Sequence, residues 1–161
     1  MTDKKKDRAQ EALAYIEKCL DTDNLRNVIV NARRHGELEV IRAAQLRLYE
    51  LLPSEEPGTL EHDVWRCIHA LEDALAEERG KTVRLSRTRQ KIGRDGEHQT
   101  VIDLVNGKQS SGFDMMIARN MPQYTFEAVT LRHPSRFADK CRDNAAKRLA
   151  EAGVPGGSSE E

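Results

Sequence analysis

The side chains best suited to chemistry lie in one stretch, Arg79-Gly80-Lys81-Thr82-Val83-Arg84-Leu85-Ser86-Arg87-Thr88-Arg89-Gln90-Lys91-Ile92-Gly93-Arg94, in which seven of sixteen residues are basic and none is acidic. Guanidinium groups offer planar forks to phosphate oxygens, and hydroxyls such as Thr82, Ser86 and Thr88, with free backbone amides, add shorter contacts to the same backbone. If Ser86 caps a short helix, Arg87, Lys91 and Arg94 fall on one face at steps of four and three, with Lys81 and Arg84 approaching from the preceding loop. This arrangement tracks phosphates and does not read bases. The expected ligand is nucleic acid, contacted by Lys81, Arg84, Arg87, Arg89, Lys91 and Arg94. A competing reading folds the same segment onto the acidic residues Glu72, Asp73, Glu77 and Glu78. No aromatic residue lies within the run, so stacking on single-stranded bases is not expected there.

Elsewhere the residues with chemical potential are scattered. His62 and His69 stand seven apart beside Glu61, Asp63 and Glu72, but no His-Glu-x-x-His spacing is present, and a helix surface accounts for them. His98 and His133 read as a first-turn and a turn residue. There is no Gly-x-Ser-x-Gly elbow, no phosphate loop and no dinucleotide fingerprint. Catalytic residues, metal ligands and cofactors are therefore not expected, although carboxylates such as Asp103 and Asp114 could meet only in space. Cys19, Cys67 and Cys141 are odd in number and widely spaced, as reduced structural thiols are.

These residues need helices to hold them. Leu13, Ile16 and Leu20 form one face of a first helix over residues 11–20. Asp21 to Asp23 can cap a second, striped by Leu25, Val28, Ile29 and Ala32 and ended by Gly36. A third runs from Glu37 to before Pro53, and Thr59 caps a longer fourth ending at Gly80, with Leu60, Val64, Cys67, Ile68, Leu71 and Leu75 as its stripe. Trp65 lies off the centre of that stripe and closes one flank of the core. Shorter helices follow over 99–106, from a capping box at Ser111 and Asp114, from Thr125, and from Ser135 or Ala138 to Ala152. A helix-turn-helix drawn through residues 99–118 fits poorly, because Asp103 stands where close packing wants a small residue and only Arg119 could read a base. No segment alternates as a strand does. The expected fold is all-α, a bundle of about seven to eight helices.

The chain has 161 residues and a net charge of −1, but that total conceals a division. Residues 1–78 carry 11 basic and 17 acidic side chains, and residues 79–161 carry 15 and 10. The expected organisation is an acidic N-terminal bundle (1–80), a basic linker (81–96), a smaller basic C-terminal module (97–153) and a disordered tail (154–161). No apolar run approaches the roughly 20 residues of a membrane span, and the charged start is unlike a signal peptide. A cytoplasmic protein without membrane contact is expected.

One short segment, Gln45-Leu46-Arg47-Leu48-Tyr49, resembles the peptide by which bacterial proteins bind the replication sliding clamp. It lies inside the third helix, where core packing accounts for the same residues. The alternative to nucleic-acid binding is a non-enzymatic adaptor or regulator that grips a protein partner with the helical hairpin over residues 23–52.

Overall fold

The computed structural model describes residues 2–155, with side chains from residue 3 onward, so most of the expected tail lies outside the described residues. Among these residues there are nine α-helices, two short 3₁₀ turns and no strand. The chain divides into two compact units, Met1–Ser54 and Glu55–Glu161. The expected boundary at residue 80 falls inside the second.

The first unit holds α1 (Thr2–Lys18), α2 (Thr22–His35) and α3 (Leu38–Leu51). The first helix begins well before residue 11, because Lys, Arg, Gln, Ala and Glu in residues 4–11 are good helix formers whose heads stay in water. Asp21 accepts hydrogen bonds from the amides of Asp23 and Asn24 at 2.9 and 3.1 Å, the cap that starts α2. Gly36 ends it at φ 65°, a left-handed conformation that a side chain would strain. The core is Ile16, Cys19, Leu25, Ile29, Ala32, Val40, Ala44 and Leu48. Leu20 is not part of it: α1 ends at Lys18, the chain turns toward the Asp21 cap, and Leu20 is left 76% exposed while Cys19 is buried. Leu48 and Tyr49 of the clamp-like peptide are buried, as core packing requires, and Arg47 donates to the Cys19 carbonyl at 3.0 Å.

The second unit is built around α4 (Leu60–Arg79), with α5 (Ser86–Asp95), α6 (Glu97–Asn106), α7 (Ser111–Ala118), α8 (Phe126–Arg132) and α9 (Asp139–Glu151). Thr59 caps α4 by accepting from the His62 amide, and Gly80 closes it at φ 69°. Helices α6, α7 and α8 all pack on α4, so its burial exceeds a single stripe. His62 and Asp63 are buried along with Leu60, Val64, Cys67 and Ile68, which corrects the expectation of a helix surface for His62, whereas His69 is half-buried. The N-cap of α7 is Ser110, one residue before the expected Ser111, and it accepts from the Phe113 amide at 3.1 Å. Gly112 allows the first turn of α7 to meet α4, since a methyl group there would lie 2.7 Å from a Leu71 methyl. The short α7 packs on α4 and the turn at Pro122–Tyr124, as an ordinary core element does. All three cysteines are buried and unpaired.

Candidate nucleic-acid interface

The basic segment is largely helical. Gly80 turns the chain out of α4, residues 81–85 run without regular structure, and α5 begins at Ser86. Ser86 does not cap the helix. The N-cap position is Leu85, which has no side chain able to accept, and its amide is instead taken by the Glu72 carboxylate of α4 at 2.8 Å. The first amides of a helix lack intrahelical acceptors and carry partial positive charge, so a carboxylate from a neighbouring helix both satisfies one of them and suits the dipole.

The same carboxylate holds Arg89. Its Nε and Nη2 donate to the two Glu72 oxygens, both at 2.7 Å, and its guanidinium lies 5.1 Å from the centre of the Trp65 ring. Trp65 in turn donates its indole N–H to Glu97 at 2.9 Å, so α4 binds α5 and α6 through one polar chain. Burial would raise the Glu72 carboxyl, but the hydrogen bonds from Arg89 and the Leu85 amide and the nearby positive charge outweigh it and hold the group below its ordinary range. Lys91 is engaged as well, donating to Asp103 at 2.7 Å and Asp95 at 3.0 Å. Arg94 makes a loose 3.7 Å pair with Asp95 and stays largely exposed.

Of the six cations expected to contact phosphate, Arg89 and Lys91 are therefore committed to partners inside the fold, and Arg94 partly so. Lys81, Arg84 and Arg87 are exposed, and no side-chain hydrogen bond or ion pair joins them to another described residue. Arg79, Thr82 and Ser86 are exposed beside them. The amides of Thr82, Val83 and Arg84 make no hydrogen bond among the described residues. The fold thus splits the run in two. Arg89 and Lys91 of α5 are neutralised from within, and residues 79–87 present four cations with no counter-charge among the described residues, on a segment anchored by Glu72.

A cavity of about 220 Å³ adjoins this segment. Leu85 and Thr88 of the basic run line it together with Phe113, Tyr124 and Phe126, which come from α7, the turn before α8 and α8 itself. Three of the seven aromatic residues of the chain thus meet one side of a run that contains none. Sequence spacing gives no hint of this, because the first of these rings lies 25 positions after Thr88.

Two buried carboxylates of this unit, Asp63 and the cavity-lining Glu127, are shifted in opposite directions. Asp63 accepts from Arg132 Nε and Nη2 at 2.9 and 2.8 Å and from His133 Nε2 at 2.9 Å, and Arg66 lies 3.4 Å away. Burial pulls its carboxyl upward, but these neighbours hold it below the ordinary range. Glu127 has the single guanidinium of Arg148 at 2.7 Å, and there burial wins and pushes the carboxyl up. Cys67, fully enclosed, has its thiol pushed up to about 12, which makes it a packing residue and not a nucleophile at neutral pH. Burial also lowers His69. No group of three or more acidic, histidine or cysteine side chains suited to a metal ion occurs among the described residues. No helix of those residues is long and apolar enough to cross a membrane.

No protein-family model matches the chain, and no curated protein or solved structure shows significant similarity to it.

Proposed function

We propose that the second unit binds nucleic acid through phosphate contacts from residues 79–87, with Lys81, Arg84 and Arg87 as the principal cations and Arg94 as an outlying one. The observation that carries this reading is that no described residue supplies a counter-charge to those three exposed side chains, when Arg89 and Lys91 a few positions on have theirs. An unneutralised cluster on an anchored segment releases counterions on meeting a polyanion, which is the main source of affinity in such contacts. Backbone amides left open at Thr82, Val83 and Arg84 suit the same oxygens. Buried, unpaired cysteines fit a reducing compartment such as the cytoplasm.

The adaptor reading has less to stand on. Tyr15, Leu20, Val30 and Leu38 are exposed apolar residues of the first unit, but Leu20 and Leu38 flank opposite ends of α2, about 20 Å apart for a helix of its length, and so form no single patch.

The test is a Lys81→Ala/Arg84→Ala/Arg87→Ala variant titrated with duplex and single-stranded oligonucleotides over a range of salt concentrations. Each lost phosphate contact removes about 0.9 from the logarithmic salt slope on duplex and about 0.7 on a single strand. The expected loss is therefore about two to three in slope, with at least a tenfold drop in affinity at low salt. Affinity and slope equal to the parent would overturn the assignment.

A further inference from the structure

We infer that the cavity beside the basic segment is a seat for one unstacked base of a single-stranded nucleic acid, whose flanking phosphates lie on Arg84 and Arg87. This rests on the phosphate-binding reading above and specifies its substrate class.

Size supports it. An apolar protein cavity of about 150 Å³ admits benzene, whereas pockets for whole drug-sized ligands start at roughly 300 Å³. At about 220 Å³, this one holds a substituted heterocyclic ring but not a sugar and phosphate with it. The sugar-phosphate must remain outside, and what lies outside is fixed by the chain: Leu85 and Thr88 line the cavity, and their immediate neighbours in sequence are the exposed Arg84 and Arg87.

The lining chemistry fits as well. Phe126, half-buried, is the ring most open to a base, with the buried Phe113 and Tyr124 beside it and Arg66 over the Tyr124 face at 5.2 Å, and contact with an aromatic ring is favourable irrespective of the base. Hydrogen-bonding capacity is limited to a few groups, among them the Thr88 hydroxyl and the Glu127 carboxyl. Duplex DNA keeps its bases stacked, and extracting one costs a few kcal/mol. The site therefore favours single strands.

The experiment uses the full chain and four probes: an eight-nucleotide oligothymidylate, an abasic oligomer of the same length, a duplex and free thymidine monophosphate. A Ser111→Phe variant fills the cavity from an exposed position on α7, and Leu104→Trp fills it independently from α6. The parent is expected to bind the oligothymidylate about tenfold more tightly than the abasic strand or the duplex, with the free nucleotide far weaker because it has only one phosphate. Both filling variants should reduce the oligothymidylate to the abasic level, leave abasic binding intact and keep the parent's helical circular dichroism. Equal binding of base-bearing and abasic strands by the parent, or a preference that survives filling, overturns the base seat while leaving phosphate binding in place. If the parent binds none of the strands, or the triple alanine variant binds all of them as the parent does, the phosphate reading itself has failed.

Discussion

In the first unit, helices α1 to α3 meet through Ile16, Leu25, Ile29, Val40, Ala44 and Leu48, and two of its ion pairs, Arg8–Glu37 and Arg26–Asp23, use arginines whose side chains are more than half exposed. The second unit adds buried charge to its apolar core. Asp63 gathers Arg132, His133 and Arg66, Glu127 takes Arg148, and Glu72 takes Arg89 and the start of α5. Neighbouring helices in sequence can find one another by apolar faces alone, as α2 and α3 do across Gly36. Bringing α8 to α4, across 69 positions, is a longer closure that directional ion pairs help to specify. The two units should therefore respond to different perturbations.

The largest effect should come from Leu25→Ala in the first unit. Leu25 is fully buried, and deleting such a side chain costs about 3 kcal/mol or more through lost burial and a residual cavity. Trp65 is the sole tryptophan and belongs to the second unit, so its fluorescence reports that unit alone. Leu25→Ala should lower the denaturant midpoint of part of the circular dichroism change while leaving the fluorescence midpoint where it was. A parallel shift of both would mean that the units unfold together, and the comparison would break.

Next comes Asp63→Asn, which leaves Arg132 and Arg66 without their carboxylate and should cost the second unit about 3 kcal/mol, the low end for a buried pair because Arg132 is partly exposed. Its pH dependence sharpens the point. The Asp63 carboxyl titrates lower in the folded state than in the unfolded one, so its stabilisation is complete above the ordinary carboxyl value of about 4 and is lost as pH falls through the depressed folded value. Glu127 acts in the opposite sense. Its raised carboxyl favours the fold below about pH 4 and ceases to as pH rises through the folded value. Acid titration of the parent, followed at Trp65, should show a larger loss of stability than that of Asp63→Asn, in which Glu72 still carries a lowered carboxyl.

The smallest effect should be that of Glu72→Gln, about 1 to 2 kcal/mol, because an amide can still accept from Leu85 but no longer matches the Arg89 fork. Its signature is spectroscopic: Arg89 leaves the Trp65 face, and the emission maximum should move even where the midpoint barely does.

Much of the local structure was legible in sequence. Caps at Asp21, Thr59 and Thr125 and the helix stops at Gly36 and Gly80 are where the residue types place them, because capping is decided within a few positions of the chain. Leu20 and His62 were misread for a common reason. A stripe extrapolated past a helix end predicts burial that the turn withdraws, and a helix enclosed on several sides buries residues that a one-faced pattern assigns to solvent. Within the candidate interface, the basic run was visible from composition, but Glu72, which takes Arg89, lies 17 positions away on α4, and Asp103, which shares Lys91 with its own-helix neighbour Asp95, lies 12 positions away on α6.

The same holds for the charge division between the two halves of the sequence. Counted by compact unit, residues 1–54 carry 10 basic and 9 acidic side chains, so the first unit is nearly neutral. The acidic excess belongs to residues 55–78, and much of it is answered within the second unit, by Arg89 on Glu72, Arg119 on Glu77 and Arg132 on Asp63. By itself the sequence determined that the chain is helical, where most of its caps and stops fall, and that a dense basic run exists, since each depends on residues close together in the chain. Only the tertiary structure decided which cations are neutralised, that Lys81, Arg84 and Arg87 are left over, and that three distant aromatic rings line a cavity beside them. Those outcomes depend on distances between helices, and no spacing along the chain encodes such distances directly.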